Sequence, residues 1–477
     1  MSELKGSLLR TEILPLKQTF VNVPQNKITD WVWGKEFSLD YKAICYFVST
    51  GFFPNDTTYF NEIKVLPPAT QIDEDDILNS SKPYWKWHYD PKDITLKQAV
   101  EEFAHLFEKI SFDQVNNKRV ILPISGGLDS RTQATALRGY KDVYAYSYKF
   151  KNGLDETGYG AAVAKAQNFK YKAFEIQPSY LWDVIEQLAD INKCFSEFTH
   201  PRQMSIHHLF EEMGDIFYLG HWGDVLFDDM GVPSDTGNEE LVKILYKKIL
   251  KKGGLELGKH LWEVWGLEGT FEESLKELVL NSLEEIKIDD ANARLRAYKS
   301  MQWAPRWTSN NLSVFLDKHP LALPYFHDDM CKFVCTIPEQ HLSGRQIQIE
   351  YIKTRTPQLA KVPWQTYDPC NLYNYDKFNS IPSLMVRAGR KVKYKVNQKL
   401  MKQQLVQRNW EIQFLGAGNE AKLENYMFKN DSFKELLPES TVREFYKNFR
   451  EKDLVFYSHP LSMLLTLSLF SKREFGK

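Results

Sequence analysis

Ile121-Leu122-Pro123-Ile124-Ser125-Gly126-Gly127-Leu128-Asp129-Ser130-Arg131-Thr132-Gln133-Ala134 is the stretch on which the reading of this chain turns. An apolar run of strand length, 120–124, leads straight into two glycines set between small hydroxyl residues, and a helical pattern follows. Paired glycines let the backbone turn tightly and expose consecutive N–H groups, and the next helix N-terminus adds its dipole, so the corner is an anion cradle. Ser125 and Ser130 supply donors without filling the space a phosphate needs. A carboxylate at Asp129 repels phosphate unless a divalent cation lies between them, which points to Mg2+. The plain alternative is a strand-turn-helix corner whose glycines and serines merely cap a helix.

Outward from this corner, apolar runs of strand length recur at 143–148, 171–176 and 216–219, separated by helical patterns at 129–138, 156–168, 180–191 and 201–213. This alternation predicts an α/β fold: right-handed crossovers and a parallel sheet covered on both faces, with ligands beyond the carboxyl ends of the strands. Helical spacing begins at Leu96 and continues through Ala99, Val100, Phe103, Leu106, Phe107 and Ile110. Upstream, residues 43–72 alternate short apolar runs with turn-formers, the pattern of short strands and tight turns. Beyond about residue 238 helical patterns dominate. The predicted organisation is a small β-rich region at 1–90, a sheet core at about 91–235 and a large helical extension at about 236–477.

Composition narrows the classes. The 477 residues are 43% hydrophobic and 26% charged, which excludes a disordered chain, and 61 Lys plus Arg nearly cancel 62 Asp plus Glu, so no global field draws in nucleic acid. The five cysteines include one close pair, Cys331 and Cys335, without a partner pair at zinc spacing, which reads as structural thiols in a reducing compartment. The first residues, MSELKGSLLR, lack the apolar core of a signal peptide, and the late apolar stretch 460–470 is short of the ~20 residues that span a bilayer, so a cytoplasmic location is expected. Residues 387–408 hold eight basic side chains (Arg387, Arg390, Lys391, Lys393, Lys395, Lys399, Lys402, Arg408) and no acidic one. They form either a solvated helix face or a patch for an anionic substrate or membrane surface. A near match to the Walker phosphate loop at 253–260 lacks the Ser or Thr after its lysine and follows no strand, so it is chance spacing.

The loop at 125–130 resembles the Ser-Gly-Gly-x-Asp-Ser loop of the N-type ATP pyrophosphatases, which split ATP into AMP and pyrophosphate. Further residues are similar to the asparagine synthetase branch: Ser147-Tyr148-Lys149-Phe150 with Leu154-Asp155-Glu156, then Leu219-Gly220-His221-Trp222-Gly223-Asp224-Val225-Leu226-Phe227, then Pro324-Tyr325-Phe326-His327-Asp328. Residues 45–71 resemble the stretch that closes that family's glutaminase domain, so 1–90 reads as a truncated glutaminase-like remnant. The resemblance covers roughly 43–365. It implies an ATP-dependent, amide-forming ligase of the asparagine synthetase type, in which a carboxylate becomes an acyl-adenylate and ammonia or an amine then displaces AMP.

ATP and Mg2+ are the cofactors this implies. Ile121, Leu122, Ser125, Gly126, Gly127, Leu128, Asp129, Ser130, Ser147 and Gly220 are expected at the nucleotide, with the adenine along the strand ends near Ile121, Leu122 and Ser147. A strand ending at Leu219 delivers Asp224 to the same sheet edge as Asp129, where paired carboxylates hold Mg2+ against the phosphates, unless Asp224 only caps a turn. His221 stands where the family has a glutamate proposed as a base for the amine, and is either that base or structural. Lys361 stands nearest the family's catalytic lysine, with Gln365 and Thr366 closer to the expected spot.

The family's glutaminase uses a cysteine after the initiator methionine, whereas this chain has Ser2 there and an internal Cys45. Nitrogen is therefore expected from ammonia, an amine substrate or a separate glutaminase. The acceptor is a small-molecule, sugar or peptide carboxylate, which leaves surface-glycan or peptide tailoring as an alternative. A non-catalytic nucleotide-binding scaffold is the rival from another class. RNA modification uses the same loop, but no thiolating cysteine pair or RNA-binding module is legible, and no nucleic-acid partner is expected.

Overall fold

The computed structural model describes residues 38–65, 67–73, 82–389 and 405–476, with residues 3–5 as backbone. Its centre is a parallel sheet of five strands, β1 Val120–Pro123, β2 Val143–Phe150, β3 Lys170–Ile176, β4 Ile216–Tyr218 and β5 Leu321–Ala322, in the order β3-β2-β1-β4-β5. Val120 pairs with Val143 on one side and with Ile216 on the other. β1 is the middle strand, and Val120, Ile121 and Leu122 are wholly buried, as a strand covered on both faces requires. The order reverses between β1 and β4, and a crevice at such a point is where open parallel sheets hold ligands. The α/β class expected from the sequence is the class observed. β5 escaped the sequence pattern because two residues are too few to show a period.

Helices cover both faces. Leu96–Val115 starts with a reciprocal cap between Thr95 and Gln98, and Leu128–Ala136, Thr157–Ala166 and Leu181–Asn192 follow within a few residues of their predicted bounds. The expected helix at 201–213 is instead a 3-10 turn, Arg202–Leu209, running into one α-helical turn, Phe210–Met213. From residue 238 onward the described residues are helical apart from β5 and connecting loops.

The N-terminal region corrects the sequence reading. Residues 41–50, expected as part of a β-rich unit, form an α-helix, Tyr41–Thr50, whose N-cap Asp40 accepts a hydrogen bond from the Ala43 N–H at 2.9 Å. Ala43 through Thr50 are all buried, and a short apolar run of this kind beside turn-formers reads as strand or helix alike in the sequence. It packs on Gly254–Val264, where a Cβ at Gly254 or Gly258 would collide with Ser49. Phe47, Tyr59 and Phe60 share a core with that helix and with Leu454–Phe475, so this segment belongs to the helical layer. The β part of the region is a small antiparallel sheet of Glu3–Lys5, Thr70–Asp73 and Lys82–Pro83.

The late apolar stretch lies in Leu454–Phe475, a helix of 22 residues that is long and apolar enough to cross a membrane. It is mostly buried, with Leu461, Leu464, Leu465, Leu467 and Leu469 fully enclosed, and so serves as a core helix. All five cysteines are buried and free. Of the basic run, Arg390, Lys391, Lys393, Lys395, Lys399 and Lys402 lie outside the described residues. Arg387 stacks 3.8 Å from the Phe378 ring centre, and Arg408 pairs with Glu411 at 3.9 Å.

Candidate active site

The glycine loop leaves β1 at Pro123 and enters the helix Leu128–Ala136. Its N–H groups are aimed at side-chain oxygens: Ser125 N–H donates to Ser130 Oγ at 3.0 Å, Gly127 N–H to Ser125 Oγ at 3.2 Å, and Gly126 N–H to Gln365 Oε1 at 3.2 Å. These are the places phosphate oxygens take in an anion cradle. Gly126 is dictated by close approach, since a Cβ there would lie 2.7 Å from the Cβ of Gln365 and 2.8 Å from that of Tyr159.

Gln365 is brought over the loop by Arg131. This guanidinium is fully buried and donates to the carbonyls of Gly126 (3.2 Å), Val362 (2.7 Å), Pro363 and, more weakly, Leu359 (3.5 Å). Residues 359–365 are thereby strapped across the loop. Burial holds the Arg131 guanidinium down at about 10.

The second loop leaves β4 through Leu219 and Gly220. Trp222 takes the left-handed conformation at φ 81°, and the single turn Gly223–Leu226 follows. A Cβ at Gly220 would meet Gln133 Oε1 at 2.6 Å, and one at Gly223 would strike the Asp129 carboxylate. The two glycines therefore let this loop lie against the first helix and set Asp224 beside Asp129. Trp222 Nε1 donates to Ser300 Oγ at 3.2 Å, which ties the loop to the helix Ala291–Trp303. That helix runs on into a π-helical turn, Ala304–Thr308, of the kind often found at functional sites.

Asp129 accepts hydrogen bonds from Arg345 and from Gln348 Nε2 (3.2 Å), both at Oδ1, and Gln348 also donates to Tyr325 OH at 2.5 Å. Enclosure pushes the Asp129 carboxyl above its usual range, Arg345 opposes this, and Asp224 adds to it. Oδ2 has no hydrogen-bond partner among the described residues. Two neighbouring carboxylates, one with a free oxygen, suit Mg2+, which takes one or two protein carboxylates and completes its shell with phosphate oxygens and water. Among the described residues no group of three or more His, Cys, Asp or Glu side chains forms an all-protein metal site.

Two cavities open at the sheet edge. The larger, about 470 Å³, is lined by Ser125, Asp129, Ser130, Gln133, Gly220, His221 and Asp224 on one side and by Lys299, Trp303, Trp307 and Thr308 on the other. The smaller, about 110 Å³, is lined by Tyr146, Ser147, Tyr148, Glu156 and Thr157. Pro123 and Ile124 face both.

The sequence-predicted residues Ser125, Asp129, Ser130, Gly220, His221 and Asp224 thus converge on the larger cavity, and Ser147 lines the smaller one. Gly126 and Gly127 form the turn, and Leu128 anchors it in the core at 1% exposure. Two expectations are corrected. Ile121 and Leu122 are wholly buried and line neither cavity, and the residues at the strand end that do are the part-exposed Pro123 and the following Ile124. Lys361 is exposed at the end of the short helix Pro357–Ala360 and lines neither cavity, because Arg131 grips the strap in a register that brings Gln365 to the loop.

Gln133, Lys299, Arg345 and Gln348 were missed. Gln133 sits one helical turn after Asp129 and so was legible as a neighbour on the same face. The other three come from segments without a motif. Burial pushes His221 down to about 4, with Asp224 opposing, so the ring is neutral near pH 7, and its Nδ1 has no hydrogen-bond partner among the described residues. Burial likewise pushes the Lys299 ammonium down to about 8, again with Asp224 opposing.

No protein-family model and no curated protein sequence matches the chain. Several solved structures are similar to part of it, among them the following two. NMN synthetase from Francisella tularensis is 16% identical over 44% of this chain and 94% of that one, with a TM-score of 0.23. NH3-dependent NAD synthetase from Campylobacter jejuni subsp. jejuni NCTC 11168, in complex with the nitrate ion, is 16% identical over 40% and 95%, with a TM-score of 0.22. Likeness at this level carries no assignment, and the functional reading rests on the site's own residues.

Proposed function

We propose that the chain is an ATP-dependent carbon–nitrogen ligase that activates a carboxylate by adenylation and passes it to ammonia or an amine. One observation carries this reading. The loops after β1 and β4 meet where the strand order reverses, and they place a phosphate-type turn, two carboxylates and a neutral histidine around one cavity, to which the helix Ala291–Trp303 adds Lys299.

An acceptor carboxylate oxygen bonds to the α-phosphorus of ATP while the bond to the β-phosphate oxygen breaks. Pyrophosphate leaves against the N–H groups of Ser125, Gly126 and Gly127. Nitrogen then bonds to the acyl carbon, AMP departs with the electron pair of the broken acyl–oxygen bond, and the nitrogen's proton passes to His221, whose unprotonated ring can accept it at neutral pH. Asp129 and Asp224 would hold Mg2+, which offsets phosphate charge when bound. Positioning and charge neutralisation supply most of the acceleration in such a scheme.

The nitrogen source is ammonia, an amine or a separate glutaminase. Cys45 is enclosed within Tyr41–Thr50, and burial, with Asp40 adding, pushes its thiol well above the ordinary range, which removes it as a nucleophile. The deciding experiment is ATP–pyrophosphate exchange against a panel of carboxylates including aspartate, uronic acids and peptides. Carboxylate-dependent exchange supports the ligase. ATP binding with no exchange for any acid favours a nucleotide-binding scaffold.

A further inference from the structure

Four residues that line the larger cavity carry a buried polar atom with no hydrogen-bond partner among the described residues: Gln133 Nε2, His221 Nδ1, Trp303 Nε1 and Thr308 Oγ1. Gln133 and Thr308 are 2% and 3% exposed, so bulk water does not serve them. Buried polar groups in native proteins are almost always paired, and four orphans from separate elements around one space mark the place of a ligand. Lys299 lines the same space and has no ion pair among the described residues, its nearest aromatic neighbour being Trp303 at 5.7 Å from the ring centre.

The chemistry of these groups selects the ligand. An ammonium, an indole N–H and an amide NH2 only donate, a hydroxyl can do either, and the His221 Nδ1 donates or accepts according to the tautomer of the neutral ring. The matching molecule presents acceptor oxygens, one set carrying negative charge for Lys299. Trp303 and Trp307 meet at 81° with ring centres 5.9 Å apart, a corner whose faces suit a flat body.

We propose that the half of the cavity walled by Lys299, Trp303, Trp307 and Thr308 seats the acceptor, and that this acceptor is a ring-bearing carboxylate with further oxygen acceptors. The term acceptor rests on the ligase reading. The site itself is testable without that reading.

The test is calorimetric titration of the full chain with D-glucuronate, 3,4,5-trihydroxybenzoate and L-aspartate, in wild type, Lys299→Met, Lys299→Arg and Thr308→Val, with ATP binding measured in each. At least one ring acid should bind more tightly than aspartate. Lys299→Met should weaken it about tenfold or more, the scale of one lost charge-assisted hydrogen bond, while ATP affinity holds and Lys299→Arg restores part of the loss. Glucuronate ahead of the trihydroxybenzoate identifies a saturated, oxygen-rich ring, and the reverse order an aromatic acid. Aspartate binding tightest, or ring acids binding Lys299→Met as they bind wild type, overturns the proposal. If Lys299→Met fails to fold, quenching of tryptophan fluorescence by the ring acid in wild type and its loss in Trp307→Phe decide instead, and equal quenching in both overturns the assignment. Ring-acid binding that depends on Lys299 but drives no pyrophosphate exchange leaves the seat standing and removes the ligase reading.

Discussion

Replacing Arg131 with methionine should unfasten the strap at 359–365 from the glycine loop. The side chain donates to the carbonyls of Gly126, Val362 and Pro363 within normal reach and to Leu359 marginally. The Gly126 carbonyl keeps a second donor, the Gln365 N–H at 3.3 Å, and each of the other two left buried without a donor costs about 1–3 kcal/mol, roughly 2–6 kcal/mol together. The substitution also relieves the enclosure that holds this guanidinium at about 10 instead of the usual 12.5, worth roughly 3 kcal/mol. The balance is a net loss of up to about 3 kcal/mol, with methionine filling most of the vacated volume. The assay is urea denaturation with hydrogen exchange at 359–365. Cooperative unfolding should shift to lower urea, and the amides of Val362, Trp364 and Gln365 should lose protection ahead of those in β1. Unchanged strap protection with a stability loss under about 1 kcal/mol would refute the claim that Arg131 sets the strap's register.

Three further outcomes are expected. Asp129→Asn and Asp224→Asn should each lower acid-dependent pyrophosphate release on the order of 10²-fold and shift its Mg2+ dependence, and a wild-type Mg2+ curve for either variant removes that residue from the cation site. Burial lowers His221 and His200 to about 4 each, so below pH ~6.5 the unfolded chain takes up protons that the folded chain refuses, and stability should fall as pH drops from ~6.5 towards 4, by up to about 3 kcal/mol per histidine. If His221 is the base, the acid limb of turnover sits near pH 4 in wild type and vanishes in His221→Gln, and a limb kept at normal amplitude in the variant makes His221 structural. Incubation with glutamine, with or without ATP, should release no more glutamate than a Ser2→Ala control, and excess glutamate would show a working glutaminase.

How much of this was legible in the sequence differs from element to element. The first loop was legible because a buried parallel strand, two glycines and a helix start are each local signals, and at 120–136 they stand in one order. Asp224 followed, since a strand ending near Leu219 fixes which edge its loop reaches. The helix Tyr41–Thr50 was hidden because a short apolar run next to turn-formers fits a strand as well as a helix. Ile121 and Leu122 were misplaced by two residues, since only the strand's last positions clear the neighbouring strands and meet ligand space. Lys361 was chosen by proximity in sequence, whereas Lys299 and Arg345 arrive from 170 and 216 residues beyond Asp129 through tertiary packing that no local pattern encodes.

Pro123 and Ile124 are the residues shared by the two cavities, and this narrow divide has an evolutionary consequence. On the proposed reading, the side chains around Ser147 and Thr157 grip one end of the nucleotide, and those around Lys299 and Trp303 grip the acceptor, from opposite flanks of one strand tip. Substitutions on either flank can accumulate without disturbing the other, so a descendant could exchange acceptors while keeping its hold on ATP. Ile124 is the exception, because any change in its bulk is felt on both flanks at once.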